Sequence, residues 1–211
     1  METKFTEKES LAVIQEMINR AQNNMNEGSG SSMIYWGYTT AIIAILNVIL
    51  IFILETPYQS FWVWCLTIPA FIVSYFIERK KDRTAMIKSH IDDIISTTWN
   101  GFVFSNILLL ILIFSLSDYF QTYYLFTLIN PLILILIGIA ELVTAKACRF
   151  KPYLYGAITV WIGALLDIAI IIVFKGNVTF QFVVLAICMI TAFVIPGYKL
   201  NKKAKEDVQR S

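Results

Sequence analysis

Six runs of apolar residues constrain this chain more than any other feature it has. They extend over Met33–Leu54, Ser60–Ile77, Ile94–Leu116, Thr122–Thr144, Tyr153–Phe174 and Thr179–Tyr198. A helix rises about 1.5 Å per residue, so roughly 20 residues cross the ~30 Å hydrocarbon of a bilayer with every backbone hydrogen bond made internally. The runs are of that order, and the reading is an all-α membrane protein, a bundle of six transmembrane helices. Composition agrees: 57% of the residues are hydrophobic and 15% are charged, which is not the balance of a soluble domain of this size. Three regions follow. Residues 1–31 are a cytoplasmic amphipathic helix and linker, 32–198 the bundle, and 199–211 a basic cytoplasmic tail.

Basic residues set the expected orientation. With the N-terminus inside, Lys4, Lys8, Arg20, Arg79, Lys80, Lys81, Arg83, Lys88, Lys146, Arg149, Lys151, Lys199, Lys202, Lys203, Lys205 and Arg210 all fall on one side, and only Lys175 falls outside. The positive-inside rule then places both termini in the cytoplasm. The net charge of +2 is accounted for by topology, and no direct nucleic-acid partner is expected. Residues 1–30 are polar and amphipathic and do not read as a cleavable signal peptide. Cys65 and Cys188 lie in apolar runs and Cys148 in an inner link, so no disulfide framework is implied.

The link Lys146-Ala147-Cys148-Arg149-Phe150-Lys151-Pro152 joins two runs that each carry one acid, Glu141 before it and Asp167 after it. These are the charged residues that sit inside apolar runs. Gly156, Val160, Gly163 and Asp167 are spaced to share one helix face, and small residues on that face allow close packing, so Asp167 is expected to point into the bundle. It lies roughly 21 Å along its helix from Tyr153, in the outer half. Asn47 and Asn130 fall at comparable depth and Asn106 somewhat more centrally. No Lys, Arg or His lies at that level, so Asp167 is neutral, hydrated or bound to an external cation. These residues form a candidate intramembrane polar site. A neutral hydrogen bond between helices is favoured over a proton, cation or polar-ligand site. Glu141 is a candidate inner-face acid. It is expected to pair with Lys146 or Arg149 or to snorkel to the surface, although Gly138 and Ala145 on its face also point it inward.

Elsewhere, Thr6 and Glu9 have capping-box spacing before a stripe of Leu11, Ile14, Ile18, Ala21 and Met25. Glu7, Glu9, Glu16 and Glu27 outnumber the cations on this helix, which favours docking on protein over lying on lipid. The run from Glu27 to Ser32 reads as a flexible link. Pro69 and Asn130-Pro131 are expected to kink their helices, and Ile195-Pro196-Gly197-Tyr198 to stop the last one. The loop from Glu78 to Asp93 reads as a short solvated helix feeding the third span. His90 and Asp93 are three apart, but with no second His in the chain a metal site is not expected. There is no Gly-x-Ser-x-Gly elbow, paired-His motif or P-loop, so neither an enzyme nor a cofactor is expected.

Lys8-Glu9-Ser10-Leu11, Tyr35-Trp36-Gly37, Trp99, Arg149-Phe150-Lys151-Pro152 with Gly156 and Trp161, and Ile195-Pro196-Gly197-Tyr198 occur together across essentially the whole chain. In that combination the chain resembles an uncharacterised family of six-helix inner-membrane proteins of Bacteroidota, often encoded beside a small winged-helix transcription regulator. The resemblance implies a multi-pass location in a bacterial inner membrane and carries no activity. Where it leads one to expect small hydroxyl residues, this chain has Glu141 and Asp167.

The expected function is that of a regulatory or sensor component whose cytoplasmic parts engage a protein partner, with homo-oligomers as a further form of assembly. The alternative is a transport component, a permease-like subunit or a small cation or solute pathway. Cysteine labelling tests the topology: positions 118 and 175 should react from outside, and positions 81, 149 and 203 only from inside. Labelling of position 149 from outside would refute the six-span arrangement.

Overall fold

The apolar runs become helices whose ends differ from the sequence expectation in instructive ways. A computed structural model describes residues 29–54, 57–82, 90–175 and 177–210. The amphipathic stripe ahead of the first span and residues 83–89 of the expected inner helix lie outside the described residues; the rest of that stretch ends one long helix and begins the next. Helix α1 covers Ser29–Ile53; a 3-10 segment, Pro57–Leu66, leads into α2, Thr67–Asp82; α3 covers His90–Tyr119. A second 3-10 segment, Tyr124–Leu128, leads into α4, Ile129–Cys148, followed by α5, Lys151–Val173. The last span is α6, Val178–Met189, a π-helical turn, Ile190–Val194, and α7, Ile195–Arg210. No strand occurs among the described residues, and six of the helical stretches are long and apolar enough to cross a membrane.

The outward faces of these helices are apolar. Phe52, Phe104, Leu108, Leu165 and Ile172 are among many large hydrophobic residues left exposed. In water such a surface would be an aggregation liability; in lipid it is what the solvent requires.

Both expected proline kinks take the same form. Pro69 and Pro131 each lie in the first turn of an α-helix entered from a 3-10 segment. Each proline thus sits where the helix changes pitch from 3-10 to α, and the Thr127 carbonyl, four residues before Pro131, accepts from Gln181 Nε2 in place of the missing N–H. Pro152 likewise occupies the first turn of α5. The basic link is as tight as expected: Arg149 adopts left-handed backbone (φ 50°) and closes α4 through Phe150 N–H to the Ala145 carbonyl at 3.2 Å.

Two expectations are corrected. The run Glu27–Ser32 is not all link, because Ser29 to Ser32 already belong to α1 and Gly30 is buried. Pro196-Gly197-Tyr198 does not stop the last span, which continues as α7 to Arg210. A single cause underlies both. Gly30 and Gly197 let α1 and α7 touch backbone to backbone, a Cβ on Gly197 coming within 2.8 Å of the Gly30 carbonyl oxygen. Around that contact Gly30 N–H donates to Asn201 Oδ1 at 3.1 Å, Asn201 Nδ2 donates to Ser31 Oγ at 3.3 Å, and Leu200 and Ala204 are buried. The basic segment is therefore docked on the bundle through this face.

The last span is the hub. It packs along α1 and α5, Phe182 meets Phe61 and Trp64 of the second span, and Phe193 meets Trp99 of α3 at 5.6 Å between ring centroids. Helices α4 and α5 form the closest pair, α3 lies against α4, and α2 is held to α1 by Tyr35 OH to the Ala70 carbonyl (2.9 Å) and Trp36 Nε1 to Ser74 Oγ (3.1 Å).

Helix–helix association in lipid depends on such close approaches. Gly37→Ala would put a Cβ 2.8 Å from Phe193 Cβ and Val194 Cγ2 and should destabilise the fold by about 1–3 kcal/mol through overpacking. Gly101→Ala meets nothing within 4 Å and should cost nothing. Thermal unfolding of the two variants in detergent checks the contrast.

Candidate functional site

The two acids are the most thoroughly buried charged side chains described. Glu141 and Asp167 are each 0% exposed, and neither oxygen of either carboxyl group has a hydrogen-bond partner among the described residues. An unsatisfied polar group of this kind typically costs about 1–3 kcal/mol, so both positions need an account.

The packing contacts set the level of Asp167. A Cβ on Gly156 would meet Glu141, and one on Gly163 would meet Leu134, so α4 and α5 run antiparallel in that register. One turn further out from the Gly163–Leu134 contact, the facing pair is Asp167 and Asn130. Gly163 also faces Cys188 and Val184 of α6, and one turn outward Asp167 comes level with Gln181. Gly37 of α1 faces Met189 and Phe193; about three turns outward, Asn47 comes level with Gln181 and Phe182. By this count Asn47, Asn130, Asp167 and Gln181 fall at about one level of the bundle, Asn47 on the α1 side of the last span and Asn130 and Asp167 on its α4–α5 side, and all four residues are buried.

Part of the layer is internally satisfied. Ser60 Oγ donates to Asn47 Oδ1 at 3.1 Å, and Gln181 Nε2 donates to the Thr127 carbonyl at 3.0 Å. Asn47 Nδ2, Asn130 Nδ2 and both oxygens of Asp167 make no hydrogen bond within the described protein. The layer therefore holds two amide donors and a carboxyl acceptor that are buried and unpaired. It carries no lysine, arginine or histidine. That chemistry suits water, a proton or a small polar or cationic species.

Asn106 lies on α3, whose main neighbour is α4; its Nδ2 donates to the Phe102 carbonyl of its own helix at 3.0 Å, and its buried Oδ1 has no donor among the described residues. Gln181 was missed in the sequence because it sits at the start of the last apolar run, where an interface glutamine is unremarkable. Its spacing three residues after Val178, on the face that also carries Leu185 and Cys188, was the available signal.

Glu141 forms a second, separate site nearer the basic end. The expected pairing with Lys146 or Arg149 does not form. Both cations are exposed, while the carboxyl group turns inward against Gly156. The register explains this. Glu141 shares its face with Leu134, Gly138 and Ala145, and that face is covered by α5, so reaching either cation would mean pulling the side chain out of the α4–α5 contact. A Cβ on Gly156 would also lie 2.9 Å from the Ala192 carbonyl oxygen of the π-turn, so Glu141, Gly156 and Ala192 meet at one point on three helices. Tyr153, three residues before Gly156 on α5, is also buried. No group of three or more His, Cys, Asp and Glu suited to a metal ion occurs among the described residues.

No protein-family model matches the chain, and no similar protein was found among curated proteins or solved structures.

Gln181→Leu should remove the bond to Thr127 and leave a buried carbonyl unpaired, lowering stability in detergent by about 1–3 kcal/mol. Gln181→Asn, too short to reach, should cost nearly as much. Chemical or thermal unfolding of the purified variants measures both.

Proposed function

We propose that the chain is a regulatory or sensor component of a bacterial inner membrane, with its basic end in the cytoplasm, where it engages a protein partner. One observation carries the reading. The last span runs without a helical break from Gln181 in the buried polar layer, past Glu141 at the π-turn, into the basic α7 at the end of the bundle. A continuous helix that passes two buried polar sites and ends in a charged surface is suited to passing a change inside the membrane to something outside it. Lys199, Lys202, Lys203 and Lys205 are exposed on α7, whereas Leu200 and Ala204 hold the other face against the bundle. The cations therefore form a displayed surface whose position follows that of the span. The resemblance to proteins encoded beside winged-helix regulators agrees with a DNA-binding regulator as the partner.

A second reading, a transport component, is favoured by a different observation: two unpartnered acids at two depths on the same helical hairpin, α4–α5. Intramembrane acids of that kind mark proton and cation pathways in transporters.

Photo-crosslinking residues placed at positions 202 and 205 in native membranes distinguish these readings. The regulatory proposal expects a protein adduct that contains a DNA-binding regulator and that weakens when Lys202, Lys203 and Lys205 are replaced by Glu. An ATPase adduct would support transport, and adducts to lipid alone would overturn the proposed partner surface.

A further inference from the structure

Pro196 removes a hydrogen-bond donor from the middle of the last span. In an α-helix the carbonyl four residues earlier, that of Ala192, would accept the N–H of residue 196, and proline has none. Ile195 N–H goes to the Ile190 carbonyl, five residues back, and the Thr191 hydroxyl is shared between the Ile187 (2.9 Å) and Cys188 (3.2 Å) carbonyls. At this change of register Pro196 therefore leaves the Thr191 and Ala192 carbonyls with Gly197 N–H as the next main-chain donor. Ala192 is 0% exposed, so solvent does not reach it.

The Ala192 carbonyl oxygen and Glu141 flank the same point on α5. The carbonyl oxygen is 2.9 Å from the place a Gly156 Cβ would take, and Glu141 Oε2 is closer still to that same place. Both Glu141 oxygens lack a donor. Acceptors that face one another in a dry site repel unless a hydrogen lies between them. No cation is at hand. Neither α1 nor the last span between Asn177 and Tyr198 contains a charged residue. Lys146 on α4 is exposed, and α3 brings Trp99 and Phe102 to the Phe193 side of the π-turn. Of the other titratable residues at this end of α4 and α5, Cys148 is half-buried, Lys151 and Tyr155 are exposed, and Tyr153 is buried.

We propose that Glu141 is a proton-binding site, a carboxylic acid whose O–H donates to the Ala192 carbonyl in place of the N–H that Pro196 lacks. Gly156 makes the site possible, since any side chain there would occupy the space where acid and carbonyl meet. The proton is thereby tied to the shape of the last span. With it, the π-turn is capped; without it, a carboxylate faces a carbonyl dipole. Asp167 lies at the other polar level and is a separate group.

Two experiments test this independently of what the protein does. Infrared difference spectra between the wild type and Glu141→Gln, in liposomes at neutral pH, should show loss of the C=O stretch of a hydrogen-bonded carboxylic acid. Loss of carboxylate bands instead would overturn the proposal. The second experiment is a double-mutant cycle. Glu141→Leu should lower Tm by several degrees and Glu141→Gln, whose amide can donate, by clearly less. In a Pro196→Ala background, where residue 196 regains its N–H, the loss caused by Glu141→Leu should largely disappear. Equal losses in both backgrounds would overturn the proposed hydrogen bond. The infrared result decides the question even if Glu141→Leu fails to fold.

Discussion

Lipid tails are as apolar as leucine, so the six spans of this protein gain little from covering one another with ordinary hydrophobic surface. What remains to specify their arrangement is contact at short range, where dispersion is strong and shapes must fit. The chain concentrates such contact at small residues. Gly30 meets Gly197, Gly37 meets Phe193 and Val194, and Gly156 admits both Glu141 and Ala192. The last span takes part in each of these contacts, which is why it sits at the centre while α2 and α3 lie at the edges. The layout follows from where backbones can approach, and the large aliphatic side chains are left to face the membrane.

The same constraint explains why polar groups are tolerated inside. A buried amide or acid costs less when its neighbours are also polar, and in this bundle they are gathered at two levels, one around Asp167 and one around Glu141. Each level is crossed by the last span, which contributes Gln181 to the first and the Ala192 carbonyl to the second. A displacement of this helix along its axis would disturb both levels together.

Much of this was legible before any coordinates. Six spans, the tight basic link and the inward face of Asp167 all follow from hydropathy, charge and the spacing of Gly156, Gly163 and Asp167, which are local properties of one helix. Asn130 could be placed at the level of Asp167 because depth along a helix can be counted. What could not be read was anything that depends on which helices are neighbours. Asn106 lies at a suitable depth on a helix that packs mainly against α4. Glu141 is near two cations in sequence, yet its face is covered by α5. The sequence Pro196-Gly197 ends most helices; here the glycine packs against Gly30 and the chain continues. The pitch changes before Pro69 and Pro131 escaped notice for a different reason, because a proline shows where hydrogen bonds are missing but not which helix type precedes it.

The 3-10 segment of the second span has a consequence for membrane thickness. This span is the shortest, 19 residues from Gln59 to Ile77, where the others have 23 to 29. As a pure α-helix it would reach about 29 Å, just under the ~30 Å of hydrocarbon it must cross. Winding its first eight residues, Gln59–Leu66, at about 2.0 Å per residue extends it to about 33 Å. Hydrophobic matching at this edge of the bundle is therefore set by backbone pitch, and not by the number of residues alone. The exposed ring of Trp62 lies on the stretched part, so the depth at which it meets the lipid headgroups is fixed by the same winding.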